Sequence, residues 1–292
     1  MVQSFALLSN ALVSGLLLGG FYAAVTIGVS ISFGMLDIVN IAHPAFVILG
    51  SYTAYIANSM FGFDPIISSI AFFPVYYFLG MAIYYAYDVS FERRGDASIR
   101  GLAFFFGVLF VTEVALVLIF GVDYRLVEAP YVGPTIHIGM IDLPLRLLVP
   151  FLVSLGLIAA LQLFISFTFI GRAVRAVAQD AGAARLMAVN PSRIKRIAFG
   201  LSIACASIAG ATLIVIQPVE PSIAREYIGR IFAICVMGGL GSLGGTLIAA
   251  MVLGIMENLT STFYGPSWSP AVAFGFLLIT IAVRPAGLLG RR

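Results

Sequence analysis

The sequence predicts an all-α integral membrane protein, and three observations carry that expectation. Of its 292 residues, 61% are apolar and 10% charged, far from the ~45–50% apolar and ~25% charged of soluble domains. The apolar residues fall in long runs such as 101–121, 145–169 and 198–217, each near the ~20 residues that carry a helix across a bilayer. These runs are apolar on every face, whereas barrel strands alternate, so helices follow.

Taken in order, the pattern predicts helices at 6–33, 45–60, 66–87, 101–121, 145–169, 198–217, 228–238, 246–261 and 268–283. They form about eight to nine transmembrane segments in one domain over 1–292. The first stretch follows Met1, Val2 and Gln3 with no Lys or Arg ahead of it, so it reads as a spanning helix and not as a cleaved signal peptide. The interruption Gly34-Met35-Leu36-Asp37-Ile38-Val39-Asn40-Ile41-Ala42-His43-Pro44 separates the first two blocks. If helical, it places Asp37, Asn40 and His43 within about a third of the circumference, at ~100° per residue.

Charge sets the orientation. Arg93, Arg94, Arg100, Arg172, Arg175, Arg185, Arg193, Lys195 and Arg196, with the tail Arg284, Arg291 and Arg292, belong in the cytoplasm by the positive-inside rule. Arg125, Arg146, Arg225 and Arg230 remain for the outside, beside Asp64, Asp123, Glu128, Asp142, Glu220 and Glu226. The N-terminus is then outside and the C-terminus cytoplasmic, and the stretch 198–283 must cross an even number of times. Its three apolar blocks satisfy that count if 228–261 is a re-entrant hairpin turning at Gly238-Gly239-Leu240-Gly241-Ser242-Leu243-Gly244-Gly245. The first arm, 228–238, reaches only ~16 Å at ~1.5 Å per residue. Irregular backbone at that depth must be buried in protein or line a wet cavity.

Several classes drop out. Cys205 and Cys235 sit inside apolar runs as small hydrophobes, and no clustered His, Asp or Cys set resembles a catalytic or metal centre. The net charge of +3 describes loops facing water and membrane lipid, not a nucleic-acid surface.

The strongest local signal is the run 171–191, alanine-rich with Arg172, Arg175, Asp180 and Arg185 interleaved. Alanine favours helix and small side chains admit close approach, while Asn190-Pro191 stops the helix. Residues alone leave two readings: a docking helix for a cytoplasmic partner, or an ordinary positive-inside loop.

The pattern Gly-Arg-Ala-x-Arg-Ala-x-Ala-Gln-Asp-x-x-Ala-Ala-Arg-Leu-Met-x-x-Asn resembles the coupling segment of permeases in the hydrophobic and branched-chain amino-acid ABC uptake family, the LivH type. Gly19-Gly20-Phe21-Tyr22-Ala23-Ala24, Asn40-Ile41-Ala42-His43 with Gly50-Ser51-Tyr52, the 238–245 glycines and the ending 284–290 are similar in the same order. Two positions depart: Pro44 and Ala188 stand where members usually carry glycine.

The resemblance implies a non-catalytic transport subunit of a bacterial inner (plasma) membrane importer. It implies two cytoplasmic ABC ATPase subunits, a second related permease and a periplasmic substrate-binding protein. No cofactor is expected on this chain; ATP and Mg belong to the ATPases, since the single lysine, Lys195, stands in no Gly-Lys-Ser/Thr motif. The coupling segment spans 171–197, and the family pattern marks Arg172, Arg175, Asp180, Ala184, Arg185, Leu186 and Asn190 for ATPase contact.

Candidates for the translocation path are Asn40, His43, Glu113, Gly238, Gly239, Gly241, Ser242, Gly244 and Glu257. Glu113 and Glu257 qualify because a charge in lipid costs at least ~2.5–3.5 kcal/mol. Glu113 reads also as a carboxylate paired between helices or simply protonated, and Glu257 as one facing water at the interface. Asp37, Asn40 and His43 read first as groups satisfying backbone freed at the break, and the glycines also as packing residues. A self-sufficient transporter coupling flow to ions through Glu113 is the alternative function.

Overall fold

The computed structural model describes residues 2–92, 97–284 and 286–290. Arg93, Arg94, Arg291 and Arg292, which entered the orientation argument, and Pro285 of the terminal motif lie outside the described residues. Among the described residues the chain forms α1 (Val2–Ser32), α2 (His43–Phe61), α3 (Pro65–Ser90), α4 (Ala97–Phe120), the strands β1 (Thr135–Ile138) and β2 (Ile141–Pro144), α5 (Leu145–Phe167), α6 (Phe169–Gln179), α7 (Ala181–Leu186), α8 (Pro191–Ile216), α9 (Ala224–Gly238), α10 (Leu243–Tyr264) and α11 (Ser269–Val283). Seven of these, α1, α3, α4, α5, α8, α10 and α11, are long and apolar enough to cross a bilayer. This is a multi-pass membrane protein.

The core lies around α1 and α8. Of the most apolar eighteen-residue stretch of α8, 83% is buried, against 11% for α11. Small residues explain the difference, because helices in lipid are held by close approach and interhelical hydrogen bonds. Gly15 and Gly19 form a Gly-x-x-x-Gly face on α1 that meets Gly254 of α10; a methyl carbon added to Gly254 would stand 2.6 Å from the Gly15 carbonyl oxygen. Where α2 crosses α8, Ser51 Oγ donates to the Gly210 carbonyl at 2.7 Å. Ser202 Oγ of α8 donates to the Gly28 carbonyl of α1 at 2.6 Å.

One end of the bundle gathers α6, α7 and the first turns of α8, and with them Arg172, Arg175, Arg185, Arg193 and Lys195. Lys195 Nζ reaches Glu92 Oε1 at 2.5 Å and fastens this basic end of α8 to the end of α3. The turn between α9 and α10 lies at the same end, closed by the tail. Leu288 and Leu289 donate their N–H groups to the Met237 and Gly238 carbonyls at 2.7 and 3.2 Å, satisfying acceptors that α9 leaves open.

Four expectations change. The 33–44 interruption is not helical: turns occupy 33–36 and α2 starts only at His43. A continuous helix would set the Pro44 ring against the Asn40 carbonyl, so Asp37, Asn40 and His43 share no helical face. The 171–190 segment is two helices, because Asp180 Oδ1 accepts from the N–H groups of Gly182 (2.7 Å) and Ala183 (2.9 Å) and starts α7 anew. Asn190-Pro191 begins α8 as well as ending the loop, with Asn190 Oδ1 capping Arg193 N–H at 3.2 Å and Pro191 in the first turn. Finally, α9 begins at Ala224, four residues earlier than expected, so Arg225 and Arg230 stand on a helix, the half-exposed Arg225 paired with Glu113 and Arg230 with Glu257.

The β1–β2 hairpin was not foreseen. It pairs Thr135 with Pro144 through Ile138 with Ile141 and leans on α1 through the Asp142 N–H, which donates to Asn10 Oδ1 at 2.9 Å.

Candidate functional site

Two assemblies bring the candidate residues together. The first is a cavity of about 490 Å³ at the basic end, where the α5–α6 corner faces the α9–α10 turn. Arg175, Ala178 and Gln179 of α6 form one wall, and Gly241, Ser242 and Gly244 the opposite one. Arg175 is exposed and anchored by its guanidinium to the Ser166 carbonyl at 3.2 Å. The turn needs its glycines: Gly239 and Gly241 have φ of +94° and +80°, a region costly for L residues. Gly241 lies against Gly34 at the end of α1. Ser242 caps α10, its Oγ accepting from the Gly245 N–H at 3.1 Å.

Beside this cavity, α6 is amphipathic: Gly171, Ala173, Val174 and Val177 are buried while Arg172, Arg175 and Gln179 are exposed. On α7 Ala184 is buried, whereas Arg185 and the neighbouring Leu186 and Met187 stand out, the last two 89% and 79% exposed. Two large apolar side chains at a charged end form a surface that water alone serves poorly. The α7 end is a Schellman cap: Val189 N–H reaches the Ala184 carbonyl at 3.1 Å and Ala188 N–H the Arg185 carbonyl at 3.0 Å. Ala188 takes the left-handed position, φ +60°, which accounts physically for glycine being usual there.

The second assembly is a polar seam along one face of α1, at Tyr22, Thr26 and Ser30, directed at the α9–α10 hairpin. Glu257 on α10 accepts from Tyr22 Oη at 2.6 Å and from Arg230 Nε at 3.1 Å. It is buried and paired, so the interface-facing reading of Glu257 falls. Four residues further along α1 in each step, Thr26 is fully buried with no partner for its hydroxyl among the described residues, and Ser30 Oγ meets Thr246 Oγ1 at 2.6 Å. Glu113 on α4 is also paired: Arg225 gives it a two-pronged bond, Nε to Oε2 at 3.0 Å and Nη2 to Oε1 at 2.5 Å.

Asn40 and His43 belong to neither assembly. Asn40 Oδ1 accepts from Ala42 N–H at 3.1 Å, and His43 Nε2–H donates to the Val25 carbonyl of α1 at 3.2 Å. Both side chains are fully buried, and Asn40 Nδ2 and His43 Nδ1 have no hydrogen-bond partner among the described residues. Gly238 and Gly239 are buried against Gly245 and the tail.

Comparison with known proteins places this geometry. Residues 11–281 match the family of the branched-chain amino acid transport system permease component. The chain belongs to this family. The branched-chain amino acid permease BraD of Pseudomonas aeruginosa is 29% identical over 299 residues, with 96% of this chain and 95% of that one covered. LivH of Salmonella typhimurium is 26% identical across all of this chain and 98% of its own. LivM of the same organism is 33% identical over 150 residues, 49% of this chain and 35% of that one. No solved structure matches.

For this permease, sequence reasoning missed the acid partners of the α9 arginines, Glu113 on α4 for Arg225 and, with Tyr22 of α1, Glu257 on α10 for Arg230. The available signal was stoichiometric: two acids placed deep in apolar segments, and two arginines on the flank of a short apolar arm, each able to neutralise one.

Proposed function

We propose that this permease supplies the membrane path of an ATP-driven importer and converts motion of α6 and α7 into opening at the hairpin turn. The observation that carries the proposal is the shared cavity, which sets α6 residues Arg175 and Gln179 across from Gly241, Ser242 and Gly244. A cytoplasmic ATPase subunit grips Arg185, Leu186 and Met187. A shift of α6 then reaches the turn across one cavity's width. The turn can respond because its glycines make close backbone contacts without side chains to interlock.

In the proposed topology α2 and α9 join the seven long spans to give nine segments, with the N-terminus outside and the C-terminus in the cytoplasm. The hairpin of α9 and α10 opens to the outer face with its tip at the inner one. The fifteen residues of α9, ~22 Å at ~1.5 Å each, fall short of a full crossing. This re-entrant arm is supported by its two arginines, which find acids instead of water.

The inferred assembly contains a second related permease, two ATPase subunits holding ATP and Mg, and a periplasmic binding protein that delivers substrate, in a bacterial inner membrane. This chain performs no covalent chemistry. A branched-chain amino acid or a related amino acid, amide or organic acid is the substrate class, supported by the relatives' described transport of branched-chain amino acids. The test is the double variant Arg185→Glu with Leu186→Asp. Membrane insertion should be unchanged while ATPase recovered by pull-down falls about tenfold; full recovery with normal substrate-stimulated hydrolysis would show that α7 is not the grip.

A further inference from the structure

A groove of about 510 Å³ opens on the flank of the bundle between α3 and the first turns of α8, away from the cavity at the hairpin turn. Its wall is apolar, from Tyr77, Phe78 and Met81 of α3 and Ile197 of α8, and its rim at the basic end carries Arg193 and Arg196. We propose that this groove binds one anionic phospholipid, its phosphate between Arg193 and Arg196 and an acyl chain along Tyr77, Phe78 and Met81.

Charge is the first argument. Three cations crowd the opening turns of α8, and Lys195 alone is neutralised, by Glu92 at 2.5 Å. Among the described residues Arg193 and Arg196 have no carboxylate partner. Arg196 lies over the Tyr85 ring, its guanidinium carbon 4.8 Å from the centroid, and its buried Nε has no hydrogen-bond partner. A half-buried guanidinium with no carboxylate partner among the described residues matches a phosphate oxygen through its terminal N–H groups.

Placement is the second argument. Phe78 is 65% exposed on α3, a helix whose apolar stretch is only 22% buried, so the wall faces the hydrocarbon around the bundle. The wall from Tyr77 to Met81 rises ~6 Å along α3 at ~1.5 Å per residue. An arginine rim beside such a wall has the polarity profile of a lipid headgroup and the upper part of one acyl chain. Basic sites between spanning helices on the cytoplasmic side are suited to such headgroups. The proposal rests on the proposed orientation, with the basic end at the cytoplasmic face, and does not depend on the motion of α6 and α7.

Native mass spectrometry of the full chain, released from neutral detergent with equimolar phosphatidylglycerol and phosphatidylcholine, tests it. Phosphatidylglycerol adducts should exceed phosphatidylcholine adducts at least about fivefold, the equivalent of one arginine's contribution. Excess inorganic phosphate should leave that ratio unchanged. Arg193→Gln with Arg196→Gln should bring it near one, Arg193→Lys with Arg196→Lys should keep it, and Met81→Trp should lower occupancy by both lipids. Equal binding of the two lipids, displacement by phosphate alone, or a preference surviving the double Gln variant would overturn the inference. So would loss of the preference in the assembled complex, which would mean that a protein neighbour covers the groove. The wild-type arms decide the question even if a variant does not fold.

Discussion

Glu257 and Glu113 each meet an arginine of α9, yet the two pairs are built to different standards. Glu257 is 3% exposed and Arg230 18%, and Tyr22 adds a second bond, so the cluster joins α1, α9 and α10. Glu113 is as deep, at 7%, but Arg225 remains 55% exposed over the Phe110 ring and joins only α4 to α9. In the closed cluster, neither ion can turn to water if its partner is lost. In the open pair, the arginine keeps an outlet. The first is therefore a permanent fastening of the hairpin to α1, and the second a joint that can part at modest cost.

Two measurements sharpen or break that contrast, and a third tests the α7 cap. The largest effect is expected for Glu257→Ala, which strands Arg230 and should lower unfolding stability in detergent by about 3–5 kcal/mol, the usual loss for a broken buried pair. Glu113→Ala should cost no more than about 1 kcal/mol, because the half-exposed Arg225 rehydrates. Equal losses at the two positions would erase the distinction. Outside both pairs, Ala188→Gly should raise stability by about 1 kcal/mol by relieving the left-handed backbone at the α7 cap. A loss there would mean that unfolded-state entropy outweighs the strain.

The long spans were legible because hydropathy reports which solvent a segment needs. It does not report which spans lie inside. Mean hydropathy is 2.6 for α4 and 2.2 for α8, yet 22% of one and 83% of the other is buried. Side-chain size tells them apart: α8 runs through Ala204, Ala206, Ser207, Ala209, Gly210 and Ala211, where α4 carries Phe104, Phe105 and Phe106. The break at Asp180 was hidden in a run of helix formers, because one carboxylate oxygen taking two N–H groups leaves no mark on periodicity.

Of the site, the residues of the α6–α7 segment and the glycine turn were legible, but not that a single cavity holds Arg175 with Gly241, Ser242 and Gly244. That proximity is a product of tertiary folding between elements distant in the chain. The pairing of Arg225 with Glu113 and of Arg230 with Glu257 was not legible because each charge was weighed singly.

The bonds from Leu288 and Leu289 to the carbonyls of Met237 and Gly238 have a consequence for biogenesis. The hairpin tip is laid down well before the stretch that covers it, so its acceptors stay open while α10 and α11 are threaded into the bilayer. Closure waits for the ribosome to deliver 286–290. A chain stalled after α11 would hold every spanning helix yet leave the Met237 and Gly238 carbonyls without the N–H groups of Leu288 and Leu289.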